Sequence, residues 1–451
     1  MLLALPAAAQ TPPFEVGGDP RVDPGDFEVT VFASGLDSPL SMQPLLDGSI
    51  LVATNGGCLR LVDADDDGVA DGPGVSVFTG SGGLVTSLRL AGDLAFIAQG
   101  QSISVLRRGA TPASPLSFVT SFSLQIPFPW SHIALTLAVR EVAPDLFELF
   151  FNVGSKEDDL ATTGTVPIVG AVAGVVQPDS IYRVVVDDRG PTVTVSGLER
   201  IASGLRNAFG IAFQPGTGDL YFEDNSIDGP TPPFEVGVDE LDRIPAEEIG
   251  GPVEDFGFPS NYFAYRTNAE VGSGGLDPLF TFQPIPPPNG AESEGPAEIA
   301  FAPPGFPAGL REGLFVGFHG LFTTAGVANP DNPVVYVDLG TGAYFHFVEG
   351  AQAATGHPDG LLATGDSLFV SDFTTANGFA VPGAGRIYRI RYVGSGPAVP
   401  TTPPHGLVLL VASLLASGWA ATMSSRRAPS ADARASGTRT RFTARPSAAP
   451  R

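Results

Sequence analysis

The 451-residue chain carries 48 acidic and only 24 basic side chains, a formal charge of −24. Seven arginines and one aspartate follow Met423, leaving 17 basic against 47 acidic groups before it. That balance excludes a nucleic-acid partner, which needs clustered cations, and the single cysteine, Cys58, excludes a disulfide framework.

Met1 to Gln10 reads as the end of a secretory signal: Leu2, Leu3 and Leu5, then Ala7-Ala8-Ala9 as a small-residue cleavage site. From there a short pattern recurs six times, a Gly or acidic turn residue followed by Leu and large apolar residues. The runs begin at Gly48, Gly92, Asp145, Gly218, Glu312 and Gly365. A further strand is expected after each, over Leu59 to Val62, Ile103 to Leu106, Ile181 to Val186, Glu240 to Ile244, Val334 to Leu339 and Ile387 to Ile390. Repeats of short strands at roughly 45 to 95 residues suggest radial blades, and the 56 Gly and 43 Pro punctuate them as turns. The expectation is an all-β fold, a six-bladed β-propeller of four-stranded blades over residues 27–392. A pair of β-sandwich domains is the alternative.

Along this body several groups could carry chemistry. Asp63, Asp65, Asp67, Gly68, Val69 and Asp71 form a D-x-D-x-D-G-x-x-D run. Alternate carboxylates in a tight loop, with the Val69 carbonyl, supply the oxygen ligands calcium needs; a solvated acidic loop is the other reading. His132 precedes a strand, where an imidazole could take a proton from a hydroxyl or simply brace a loop. Arg206 and Asn207 precede the strand Gly210 to Phe213; the arginine could grip a carboxylate ligand or an internal acid. Asn225 to Pro230, with Asp239 and Glu240, make an acidic loop able to hold a metal. His319 and His357 stand in loops, while His346 lies between aromatics within a strand. No dinucleotide fingerprint or G-x-S-x-G elbow occurs.

Beyond a Pro/Gly linker at 393–405, Gly406 to Met423 is an uncharged apolar run of 18 residues, long enough to span a bilayer. Arg426 and Arg427 follow, which places the 424–451 tail in the cytoplasm and the body outside, in the periplasm or at the cell surface. This end resembles the PEP-CTERM sorting tail of exported Gram-negative proteins, with Val399-Pro400-Thr401 at the signal position. That resemblance implies a sorting protease as a partner and a membrane anchor.

Gly204-Leu-Arg-Asn-x-x-Gly210, Gly218-Asp-Leu220 and Asp224 resemble the soluble glucose/sorbosone dehydrogenases. So do Asp239-Glu240-Leu241, Asp255-Phe-Gly-Phe-Pro259 and Asp359-Gly360, in the family's order across residues 27 to 392. The resemblance implies a propeller that binds pyrroloquinoline quinone and calcium and oxidises a sugar or other alcohol. It assigns His132 as the base that takes the hydroxyl proton, and Arg206, Asn207 and Asp239 to the cofactor side. It assigns the calcium of the cofactor to carbonyls of the 225–230 loop. The chain departs from the family in two places. Ser155 follows Gly154 where an aspartate is usual, and Glu292, Glu294 and Glu298 stand where cations would meet the cofactor's carboxylates. The alternative function is a non-catalytic exported binding module of the same descent.

Overall fold

The computed structural model describes residues 11–229, 235–320, 329–352, 355–376 and 381–394. The expected signal remnant, the apolar span 406–423, the tail 424–451 and all but two residues of the linker lie outside them. Among the described residues no helix is long and apolar enough to cross a membrane.

Among the described residues, apart from a 3-10 turn at Pro24–Asp26, the regular structure is entirely β. In chain order, β1 (Phe27–Leu36) precedes β2 (Met42–Pro44), β3 (Ile50–Leu61), β4 (Val75–Ala91), β5 (Leu94–Gln99), β6 (Ser102–Arg107) and β7 (Ser117–Leu124). Next come β8 (Leu137–Ala143), β9 (Leu146–Val153), β10 (Val166–Gly170), β11 (Gly174–Val176), β12 (Ser180–Asp187) and β13 (Thr194–Ser203). The middle of the chain forms β14 (Ala208–Phe213), β15 (Leu220–Asp224), β16 (Glu240–Ile244), β17 (Glu254–Asp255), β18 (Asn261–Phe263), β19 (Glu270–Gly272) and β20 (Phe280–Thr281). The last group is β21 (Pro296–Phe301), β22 (Leu314–Phe318), β23 (Val334–Asp338), β24 (Ala343–Val348), β25 (Gly360–Ala363), β26 (Ser367–Asp372) and β27 (Gly385–Tyr392).

Each of the six recurrent runs opens the second strand of an antiparallel pair: β3, β5, β9, β15, β22 and β26. These strands are largely buried on both faces because sheets stack on both sides of them. Every residue of β15, β22 and β26 is buried, and Phe150 of β9 meets Phe213 of β14 edge-on across two sheets, 5.2 Å between ring centres. The first strands β2, β4, β8, β14, β21 and β25 are neighbours in that order, and β25 returns to β2. The fold is thus a propeller-like ring. It is closed by β1, which pairs with β27 from Phe27 opposite Tyr392 to Leu36 opposite Gly385.

One expected strand does not stand alone. Leu59 to Leu61 continue β3, which pairs with β2 at Ile50 to Val52 and with β4 at Asn55 to Arg60. Gly56, at φ 89°, lets the chain bend there without leaving the ladder. β4 in turn passes from β3 to β5, so the first sheets merge into one of eight strands. Cys58 is buried in β3, and burial pushes its thiol up to about 12.

Across the ring, Arg89 of β4 reaches Glu298 of β21 at 2.9 and 3.1 Å. These strands are second and fifth in the ring order, so the pair spans its centre. Arg89 also donates to Ser41 Oγ at 2.8 Å, and Ser41 bonds Leu88 N and O at 3.2 Å. Both side chains are largely buried, so removing one strands the other's charge. Glu298→Ala should cost about 3–5 kcal/mol of stability in a denaturant melt. The double variant Arg89→Met/Glu298→Leu should recover most of that loss.

Candidate functional site

Antiparallel pairing puts the start of each first strand and the end of each second strand at the same end of the ring. His132 lies in the loop entering β8, and residues 154–159 leave β9 beside it. Ser131 N donates to Lys156 O at 3.1 Å and His132 N to Ser155 O at 3.2 Å, while Trp130 Nε1 donates to Gly154 O at 3.2 Å. The loops touch at Gly154, where a Cβ would sit 2.7 Å from the His132 Cβ and 2.8 Å from its carbonyl. His132 Nδ1 lies 2.8 Å from Ser155 Oγ and 3.0 Å from Ser155 O. Burial, then the charge of Arg206, lowers the imidazole to about 4.

Ser155 also joins this pair of loops to the next one, donating its backbone N–H to Arg206 O at 2.7 Å. The Arg206 side chain is only 4% exposed. Its Nε donates to Asp158 Oδ1 at 3.0 Å, its Nη1 to Asn225 O at 3.0 Å, and its Nη2 to both Asp158 and Asp228. Burial opposes this charge, but the Asp228 and Asp158 carboxylates outweigh it and raise the guanidinium's pKa. All three nitrogens are therefore engaged by protein acceptors. The backbone N–H groups of Arg206 and Asn207 donate to Asp224 at 2.9 and 2.6 Å. Asp239 accepts from Ser226 N and Gly295 N, each at 2.8 Å, and burial pushes its carboxyl up to about 7.

The structure thus brings His132, Arg206, Asn207 and Asp239 to one end of the ring. Sequence reasoning noted Ser155 after Gly154 and the acidic loop that holds Asp228, but did not pair Ser155, Asp158 or Asp228 with the residues they fix. The two aspartates lie 48 and 22 positions from Arg206, and no local pattern signals such a pairing.

Of the three glutamates in 292–298, two are neutralised. Glu292 pairs with Arg266 and Glu298 with Arg89. Glu294 is pushed up to about 7, by burial and then by Asp239. Asn207 Oδ1, in the loop entering β14, and Glu240 Oε1 and both oxygens of Asp242, on β16, are buried without a donor. Asn207 Oδ1 and the carbonyls of the loop after β15 are oxygen ligands of the kind a divalent cation takes, whereas burial and then neighbouring carboxylates hold the Glu240 and Asp242 carboxyls well above the usual carboxylate range.

The remaining histidines are tied down. His319 Nδ1 donates to Asp359 Oδ1 at 2.6 Å, and its ring stacks on His357 at 4.1 Å. His346 Nε2 lies 2.8 Å from Ser293 Oγ within β24. The acidic loop after β3 belongs elsewhere. Carboxylate oxygens of Asp63, Asp65 and Asp67 lie within 4.8 Å of one another, while Asp71 accepts from Ala64 N at 2.8 Å. Gly68, at φ 85°, permits the turn; its carbonyl accepts from Thr30 of β1 at 2.9 Å, and Arg389 of β27 reaches Asp63 at 3.2 Å. Val69 is partly exposed in the same turn.

No protein-family model matches the sequence, and neither does any curated protein. The fold is nonetheless shared with solved structures. The holo pyranose dehydrogenase PQQ domain of Coprinopsis cinerea aligns with a TM-score of 0.57 at 18% identity, over 86% of this chain and 99% of that one. A calcium structure of a Trichoderma reesei protein of carbohydrate-active enzyme family AA12 gives 0.56 at 17%, over 86% and 99%. A glucose dehydrogenase gives 0.51 at 16%, over 82% and 100%.

Gly154→Ala should destabilise the protein by about 1–3 kcal/mol, the usual cost of overpacking. It should also displace the His132 imidazole resonances in a labelled sample, whereas Gly17→Ala, with nothing within 4 Å, should do neither.

Proposed function

We propose that the chain is an exported quinoprotein-type dehydrogenase that oxidises a hydroxyl of a sugar or another alcohol. The observation that carries this reading is His132 held beside the Arg206–Asn207 loop through one residue, Ser155, on a fold shared with the PQQ domain of the Coprinopsis cinerea pyranose dehydrogenase. Pyrroloquinoline quinone, bound with calcium, would supply the two-electron hydride acceptor. Asn207, Asp239 and the carbonyls of residues 225–229 would hold it. Arg206, already paired, would set the shape of that loop more than it grips the ligand. His132 would take the hydroxyl proton on Nε2 as the C–H hydride leaves, and the loops at 128–133 and 154–162 would hold the substrate against it.

The finer architecture belongs to the same proposal. The ring order of first strands supports six blades. The apolar run 406–423 would tether the body outside the cytoplasmic membrane, with the tail as a site for a sorting protease. Calcium would also bind at Asp63, Asp65, Asp67, the Val69 carbonyl and Asp71, locking the ring closure where β1 and β27 meet that loop. A second reading, a non-catalytic exported binding module, is favoured by the complete pairing of Arg206.

Titration with pyrroloquinoline quinone and calcium, followed by aldose-dependent dye reduction, decides between them. We expect saturable absorbance changes and turnover that falls at least about 100-fold in His132→Ala, the scale of general-base catalysis. Absence of cofactor binding would leave the binding-module reading. Neutral imidazole is the active form and its pKa is lowered, so activity should persist as pH falls through 6 and 5 and disappear only near 4.

Calcium at the acidic loop has its own test. At 100 times the dissociation constant, a bound ion adds about 2.7 kcal/mol of stability. In protein without the quinone, chelation should therefore lower the melting temperature of the wild type by clearly more than that of Asp65→Asn/Asp67→Asn, which retains only the cofactor-side calcium position.

A further inference from the structure

We propose that Ser155 is the positioning residue that makes His132 a base, its carbonyl and hydroxyl oxygens together holding the proton on Nδ1 and leaving the lone pair on Nε2. The inference deepens the proposed function and rests on it for the identity of the reaction. Its geometric part stands separately.

The hydrogen-bond inventory leaves one solution. Ser155 O can only accept, and it lies 3.0 Å from Nδ1. Ser155 Oγ lies 2.8 Å from the same nitrogen, but its single proton is already donated to Glu157 O at 2.7 Å. Both oxygens therefore face Nδ1 as acceptors, and Nδ1 must carry the hydrogen. The neutral ring then has its lone pair on Nε2, which makes no hydrogen bond to the described residues. Ser155 is fully buried, so water does not compete for these contacts. Its own N–H is fixed on Arg206 O, so the position of the base is coupled to the loop entering β14.

The chemistry of the acceptor matters as much as its place. A carboxylate there would stabilise the imidazolium and raise the basicity of the ring; a hydroxyl and a carbonyl orient it without adding charge. The charged groups that face His132 are Arg206, from the loop entering β14, and Asp158, from the loop leaving β9. Lys156 and Glu157, on that same loop, pair with each other at 2.9 Å. Asp158 is itself held by Arg206, so no free anion balances a proton on the ring. In the step this prepares, the substrate O–H proton would go to Nε2. Pyrroloquinoline quinone, when bound, would supply the two-electron oxidant that accepts the C–H hydride.

The test uses the full chain labelled with ¹⁵N-histidine, His132 being assigned by the signal lost in His132→Asn. We expect the wild type to show the Nδ1–H tautomer between pH 5 and 8. Ser155→Asp should keep that tautomer and raise the midpoint by about 1–3 pH units, the effect of an adjacent opposite charge. The acidic limb of kcat/KM should move upward by the same amount. Ser155→Ala keeps the carbonyl and so the Nδ1–H tautomer, but with one acceptor lost the ring should be held less firmly and kcat should fall with little change in KM. An Nε2–H tautomer in the wild type, or an unmoved midpoint in Ser155→Asp, would overturn the proposal. The expected spectra in a protein that binds no quinone would uphold the role of Ser155 while removing the proposed function.

Discussion

Pairing of β1 with β27 joins the two ends of the body and turns a row of sheets into a ring, and every functional feature depends on that closure. In a closed ring each first strand runs in the same sense. The loops that enter first strands and leave second strands therefore collect at one end. His132, Ser155, Arg206, Asp224, Asp239, Gly295, His319 and Asp359 come from stretches up to 227 positions apart, and all of them lie in or beside those loops. The Arg89–Glu298 bridge acts with the closure from inside, tying opposite sides of the ring across its centre.

Within that frame Arg206 organises the site without being free to act in it. Its guanidinium gathers Asp158, Asp228 and the Asn225 carbonyl, and its backbone gathers Ser155 and Asp224. An arginine so enclosed acts as a rigid node. It sets the distance between the loop leaving β9 and the loop leaving β15, and its charge helps keep His132 neutral. The two readings of Arg206 open at the sequence level, ligand grip and internal pairing, are thus weighted by geometry toward the second.

Much of the fold was legible because it is written in local patterns. Runs such as Gly218-Asp-Leu-Tyr-Phe mark a turn and a strand buried on both faces, and each of the six opened a second strand. The expectation failed where a local rule met a special backbone: Gly56 and Gly57 let β3 bend and continue, so Leu59 did not begin a new strand. In the site, His132 and Arg206 could be named from their place before strands. Their partners could not, because Ser155 acts through backbone and hydroxyl oxygens that leave no compositional trace. Nor does any short-range pattern tie Asp158 to Arg206, 48 residues away. The three glutamates beyond Ala291 stand where the resemblance leads one to expect cations, yet Arg266 and Arg89 neutralise two of them.

Charge balance links the acidic body to the proposed chemistry. Among the charged groups placed around the loop cluster, Arg206, Arg266 and Lys156 are each already paired with a carboxylate, while Glu240 and Asp242 keep buried oxygens without donors. A polycarboxylate arriving alone would add like charge to a region that already holds too much of it. A divalent cation bound there would change the sign of that balance and attract the anion. In a protein with ample arginine, calcium could be an accessory to cofactor binding. Here it would be the condition for it: under the proposed function, the acidity of the body would make cofactor binding metal-dependent.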